Sequence, residues 1–305
     1  MIFYNRWANI DVGDNHAYVR VTNLKSQLKL FIQNEVLMNP KSLNADWLEH
    51  QVNILRRRKI NSIIGYPSAI AAIARKANEL GLEKADFQIK GVLTSGENLR
   101  AEDQEAIRSS FGVKPLSRYS TEEFGVIATS CPHCNKFHVN DTGYIVEILE
   151  LNSDKHVLPG KQGRVIITDL FSYNMPLIRF DTEDIAVYCG KSECSFYSTG
   201  ITLEYIVGRQ IETVFNIQGE AISPFSINGA LRDLHSVMQF QFIQNALDDN
   251  TLLLVVNDNF TNKDKVLISM RLKGILNTET TIKTVNEITA KKSGKRPYII
   301  SNLKV

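Results

Sequence analysis

Between Asn44 and Ser120 the chain alternates helix-like and strand-like segments, and that order leaves few architectures open. Residues 44–58, NADWLEHQVNILRRR, place Trp47, Leu48, Val52 and Leu55 on one helical face. Ile60 to Gly65 reads as a short buried strand. Ser68 follows Tyr66-Pro67 as the expected N-cap of a helix that runs through AIAAIARKANEL to Gly81, a residue suited to the left-handed conformation that closes helices. IKGVLT at 89–94 is again strand-like and breaks into Ser95-Gly96-Glu97. AEDQEAIRSSFG follows as a helix with acidic residues early and a glycine stop, and residues 114–120 make the next strand. Strands that alternate with helices need crossover connections, so this part is expected to be α/β with a mainly parallel sheet.

From Gly143 the texture changes. YIVEILEL (144–151), GRVIITDL (163–170), DIAVY (184–188) and TLEYIV (202–207) are short strands separated by Gly, Pro, Asn, Asp and Ser, the pattern of a small antiparallel sheet or barrel. Beyond Gly208-Arg209 a third pattern begins. Residues 214–222 are strand-like and 224–234 helix-like; 239–246 and 251–256 suggest a hairpin around Asp248-Asp249-Asn250; 263–276 is helical and 281–285 extended. This order fits a compact α+β module. The expected organisation is therefore a large domain over 1–208, with its α/β part over about 1–142 and its antiparallel part over about 143–208, followed by a small domain over 209–305.

A chain of 305 residues is long enough to give both parts their own apolar cores. No stretch approaches the roughly 18 to 20 consecutive apolar residues that cross a bilayer, and MIFYNRWANID lacks the basic, apolar and small-residue order of a signal peptide. A cytoplasmic protein without a membrane span is expected. The densest basic run, Arg56-Arg57-Arg58-Lys59, ends a helix-like stretch where cations suit the dipole. With a net charge of only +2, no nucleic-acid partner is expected.

Two segments carry chemistry. Arg118-Tyr119-Ser120-Thr121-Glu122-Glu123-Phe124-Gly125 and Pro176-Leu177-Ile178-Arg179-Phe180-Asp181-Thr182-Glu183-Asp184 each set carboxylates and an aromatic at a strand end, where an open α/β sheet presents its binding crevice. Glu122 and Glu123 suit a hard cation such as Mg²⁺, which takes one or two carboxylates together with ligand phosphates. Asp184 suits ribose hydroxyls, and Arg179 a phosphate or carboxylate. Taken singly, the glutamates are equally an ordinary solvated pair, and Arg179 with Asp184 a surface salt bridge worth about 0 to 1 kcal/mol.

The order of these elements resembles the phenylacetate–coenzyme A ligase-like branch of the adenylate-forming enzymes, the superfamily of acyl-CoA synthetases. The resemblance is carried by Tyr66-Pro67-Ser68, Ser95-Gly96-Glu97, Tyr119 through Gly125, 163–170 followed by Pro176 through Phe180, Asp184, Gly208-Arg209, Gly219 with Pro224, and Ser293-Gly294-Lys295-Arg296. It implies a ligase that activates a small-molecule carboxylic acid with ATP to an acyl-adenylate and transfers it to coenzyme A or another acceptor. Tyr119 would lie against adenine, Ser95, Gly96 and Glu97 would line the same site with Ser120 beside them, Glu123 would hold Mg²⁺, and Asp184 and Arg209 would bind the ribose. Glu212 would sit at a hinge, and Lys295 would reach the carboxylate and α-phosphate from a C-terminal lid domain.

The chain departs from that pattern in three ways. It contains no Ser/Thr/Gly-rich phosphate loop, so it reads as the C-terminal two-thirds of a ligase, with a homo-oligomer or a separately encoded N-terminal half as expected partners. Ser120 and Glu183 replace glycines. These departures support an alternative, a catalytically inactive remnant that serves as a binding or assembly module.

The four cysteines form two spaced pairs, Cys131-Pro132-His133-Cys134 and Cys189 with Cys194, with His138 nearby. In a reducing compartment two such pairs suit a structural Zn²⁺ better than disulfides, and His138 competes as a ligand. Free, partly buried thiols are the alternative. Both pairs are expected in loops.

Overall fold

The computed structural model describes residues 2–20, 26–40, 43–197, 200–209, 214–219, 221–222, 224–231, 234–289 and 296–303. These divide into two compact units, one built of residues up to 182 with 186–206, the other of 207–289 with the final residues and a short piece of strand at 183–185.

The first unit runs α1 (Ile2–Trp7), β1 (His16–Val19), α2 (Gln27–Ile32), β2 (Glu35–Met38), α3 (Ala45–Arg57), β3 (Ser62–Gly65), α4 (Pro67–Glu79), β4 (Gly91–Ser95), α5 (Ala101–Phe111), β5 (Leu116–Thr121), β6 (Gly125–Ser130), β7 (Phe137–Val139), β8 (Tyr144–Leu149), β9 (Gln162–Asp169), β10 (Phe180–Lys191) and β11 (Ile201–Arg209). The strands form one eleven-stranded sheet in the order β2-β1-β3-β4-β5-β6-β7-β11-β10-β9-β8. The pairs β2–β1, β1–β3, β3–β4 and β4–β5 are parallel. The pairs β5–β6, β6–β7, β7–β11 and β8–β9 are antiparallel. The α/β fold with a parallel sheet, antiparallel strands and a C-terminal α+β unit is thus the one read from the sequence. One detail differs: the antiparallel strands do not stand apart. After β5 the chain doubles back through Glu122-Glu123-Phe124 to Gly125, whose φ of +73° an L side chain rarely adopts. The hydrogen-bond ladder therefore continues straight into β6.

Helix α3 starts at an Asn44 cap whose side chain accepts from the Trp47 backbone N–H, and α5 stops at Gly112 with φ +68°. The start of α4 differs from the expectation. Tyr66, not Ser68, is the N-cap residue, because Pro67 occupies the first helical position, where its fixed φ is already helical and its missing N–H costs nothing. One face of the parallel strands packs Ile63 and Val92 against Ile70 and Ile73 of α4 and Phe111 of α5. The opposite face buries Leu93 and Leu116 under Tyr4 and Trp7 of α1, and the antiparallel strands have a third core around Ile127, Val165 and Leu203. The short strands β1 and β2 escape the sequence reading, as do α1 and α2.

The second unit contains β12 (Val214–Phe215), β13 (Ala221–Ile222), α6 (Pro224–Ala230), β14 (Val237–Gln244), β15 (Asn250–Val256), α7 (Asn262–Leu276), β16 (Thr281–Thr284) and β17 (Ile299–Ser301). Its main sheet has the order β16-β15-β14-β17. The expected hairpin pairs β14 with β15, placing Phe242 opposite Leu252. Helix α7 begins with a reciprocal cap between Thr261 and Asp264 and lays Ile268, Leu272 and Leu276 on that core. Among the described residues no helix is long and apolar enough to cross a membrane.

Candidate functional site

Parallel strands in register end together, and this brings the predicted nucleotide-binding residues of the first unit to one rim of the sheet. Ser95 closes β4 opposite Arg118 of β5, and Gly96 follows at φ +83°. Glu97 Oε2 accepts from the Ser68 backbone N–H at 3.2 Å, placing a carboxylate on the N-terminus of α4. On the next strand Tyr119 is 7% exposed, and its hydroxyl donates to Thr182 Oγ1 at 3.4 Å, which itself donates to the Val165 carbonyl at 2.9 Å. A register shift separates Tyr119 from Ser120. The two glutamates of the following turn differ: Glu122 ion-pairs with Arg20 at 3.0 Å, while Glu123 is exposed on the turn.

The second segment lies on and just before β10. Arg179 does not pair with Asp184; its Nε donates to Glu147 Oε2 at 3.0 Å, an ion pair on the antiparallel strands. Asp184 is 9% exposed. Glu183 has φ +60°, the conformation for which glycine is favoured. Ser120, by contrast, is not among the residues with positive φ, so serine there strains nothing. Glu183→Val is expected to unfold at least about 1 kcal/mol more easily than Glu183→Gly, because a β-branched residue resists the left-handed region. Equal melting temperatures for the two variants would show that this backbone relaxes. β11 ends at Arg209. Glu212 and Lys295 lie outside the described residues.

The cysteine cluster is the most compact chemical feature. Ligand atoms of Cys131, Cys134, His138 and Cys194 all lie within 4.8 Å of one another. The Cys131 and Cys194 sulfurs are 3.8 Å apart, and Cys134 Sγ is 3.2 Å from His138 Nε2. A zinc tetrahedron with bonds of about 2.3 Å spaces its sulfurs by about that same distance. Cys131 and His138 are fully buried. The 131–136 turn is tied by the Cys131 N–H to the Lys136 carbonyl, and the His133 N–H points at Cys131 Sγ.

Protonation favours a metal. Desolvation lowers the His138 pKa, keeping the ring neutral, and Lys136 adds to this. Ser192 Oγ donates to the Tyr197 carbonyl at 2.5 Å, so at 3.5 Å it accepts from His138 Nδ1–H and leaves Nε2 bare. Burial pushes the Cys134 thiol up to about 11, the cost of a thiolate there without a cation. Burial acts the same way on Cys194, but the Phe196 and Tyr197 backbone N–H groups together with the Cys134 and Cys131 side chains outweigh it and hold that thiol low. Cys189 is not part of the cluster. It stands within β10, not in a loop, and the sequence pairing of Cys189 with Cys194 is corrected accordingly. Trp7 of α1 packs edge-on against His138 at 5.7 Å and against Tyr197 and Phe196 at 5.4 Å.

This sheet, with its rim of Ser95-Gly96-Glu97, Tyr119 and Glu123, has the fold of the adenylate-forming CoA ligases. A 2-hydroxyisobutyryl-CoA ligase in its postadenylation state superposes with a TM-score of 0.77 at 18% identity, covering 98% of this chain and 67% of that one. ATP-bound MatB from Rhodopseudomonas palustris gives 0.65 at 14% identity, covering 96% and 60%. Residues 214–302 match the family described as the CapK C-terminal domain. Protein CapK of Staphylococcus aureus is 19% identical over 310 residues, covering 99% of this chain and 66% of its own length. The phenylacetate-coenzyme A ligase of Thermus thermophilus is 20% identical over 219 residues, covering 70% and 49%. The chain thus spans 66% and 49% of these two relatives, and it is similar to the branch that its motifs indicate.

Sequence reasoning missed Arg20 at the rim and gave no role to Arg118, although Arg118 opens one of the two segments singled out. A lone arginine beside a strand end carries no spacing signal; only the register of the strands brings the pair together.

Proposed function

We propose that the chain forms the greater part of an adenylate-forming ligase of the phenylacetate–CoA ligase-like type. It activates a carboxylic acid with ATP to an acyl-adenylate and passes the acyl group to coenzyme A or another nucleophile. The observation that carries this reading is the gathering of Ser95, Gly96, Glu97, Tyr119 and Glu123 at one rim of a sheet with this fold. In it, the 95–97 backbone and Tyr119 receive adenine with Ser120 at their side, and Asp184 and Arg209 take the ribose hydroxyls. Glu123, exposed on its turn, is the carboxylate suited to Mg²⁺, whose charge would offset that of the phosphates.

Residues 209–305 act as a lid domain on the body of 1–208, turning near Glu212 and delivering Lys295 to the reacting carboxylate. Cys131, Cys134, His138 and Cys194 hold a structural Zn²⁺, a closed site with no open coordination position.

Calorimetry tests the nucleotide site directly. AMP and Mg²⁺–ATP are expected to bind saturably, and Asp184→Ala to weaken AMP by about tenfold or more, the worth of a charge-assisted hydrogen bond. Absence of heat with both nucleotides would overturn the ligase reading and leave the inactive binding module.

A further inference from the structure

We propose that Arg20 and Arg118 form a separate oxyanion site at the rim of the parallel sheet, one that takes a carboxylate or phosphate group of a small molecule. The nucleotide reading above uses neither residue. Tyr18 pairs in register with Ile64, Ile64 with Leu93, and Leu93 with Leu116. Two residues further along stand Ser95 and Arg118, paired with each other on β4 and β5, while Arg20 follows just beyond the end of β1. Side chains recur on one face of a strand with a period of two, so Ser95 and Arg118 share the face of Leu93 and Leu116. Arg20 Nη1 donates to the Tyr18 hydroxyl at 3.3 Å, and its Nη2 reaches the exposed Glu122.

Arg118 lacks any such arrangement. Its Nε is buried and has no hydrogen-bond partner. Desolvation lowers its pKa, Tyr18 opposes that fall, and the nearby charge of Arg20 adds to it. A half-buried guanidinium with an orphaned buried Nε is costly, and a second cation beside it raises the cost. Of the acidic groups of this rim, Glu97 receives the Ser68 N–H, Glu122 pairs with Arg20 from its exposed position, and Glu123 is exposed on its turn, which leaves the Arg118 Nε without an acceptor among the described residues. An oxyanion that accepts from Arg118 and Arg20 relieves both the orphaned donor and the repulsion. Carboxylate and phosphate match the planar arginine fork.

Calorimetric titration with inorganic phosphate and, separately, with succinate tests the proposal, with chloride at equal ionic strength as the blank. Saturable binding of at least one anion is expected, weakened about tenfold or more in Arg118→Gln and in Arg20→Gln. The anion bound more tightly identifies the group recognised. Circular dichroism checks folding, and if Arg118→Gln does not fold, Arg20→Gln and Arg118→Lys carry the test. Mg²⁺–ATP binding in Arg118→Gln separates this site from the nucleotide site and is expected to be unchanged. Anion binding no stronger than the chloride blank, equal binding by wild type and variants, or loss of phosphate and ATP binding together would overturn the proposal.

Discussion

Removal of metal by a strong chelator, or replacement of Cys131 with serine, is expected to lower the melting temperature by about 10 °C or more. A structural zinc site contributes several kcal/mol to the folded state, and in a unit of this size each kcal/mol moves the transition by roughly 2 to 4 °C. Cys131 is fully buried at the centre of the cluster, its sulfur 3.8 Å from that of Cys194. Without a cation, three thiols and an imidazole are left crowded together in a desolvated place. The chelator arm isolates the metal, since it leaves no buried hydroxyl behind. Cys189→Ser should change stability by no more than about 0.5 kcal/mol, because Cys189 stands outside the cluster. Elemental analysis should find one zinc per chain in the wild type and in Cys189→Ser, with tryptophan fluorescence shifting on chelation through Trp7. A metal-free wild type that ignores the chelator would remove zinc from the account.

Lys295→Ala is expected to reduce carboxylate-dependent pyrophosphate exchange by about 100- to 1,000-fold, the range for deleting one group that meets charge developing in a transition state. An anionic carboxylate attacking an anionic phosphate gathers negative charge, and in the proposed ligase the lysine ammonium is the cation supplied by the lid. The substitution should leave nucleotide affinity nearly intact, because the group acts on the reacting atoms and not on adenine or ribose. Exchange that persists at the wild-type rate in Lys295→Ala would sink this assignment, with calorimetry showing independently whether the nucleotide site survives.

The legible part of the fold was the part with marked ends. The apolar face of 44–58, the glycine stops at 81 and 112 and the early acidic residues of α5 locate α3, α4 and α5 and hence the parallel strands between them. β1 and β2 are four residues each, HAYV and EVLM, too short to display a period, and the pairing of β1 with β3 and of β2 with β1, rather than local preference, makes them strands. Ser68 looked like a cap by residue type, yet proline at the preceding position starts the helix two residues earlier than a Ser68 cap would, with Tyr66 as the cap residue.

The metal candidates show the same limit. Pair spacing placed Cys189 with Cys194, but β10 carries Cys189 away while the chain beyond it returns Cys194 to the 131–138 turn, with His138 completing the set. Arg179 likewise found Glu147, a partner on another strand that no local pattern reveals.

The aromatic cap over the cysteine cluster also bears on how the protein is made. Trp7 rests on His138 and Tyr197, so the docking surface of α1 is built from residues that leave the ribosome long after it does. Contacts so distant in sequence close late and slowly. During synthesis, α1 therefore waits undocked until Tyr197 has emerged, its apolar side open to chaperones and proteases in the meantime.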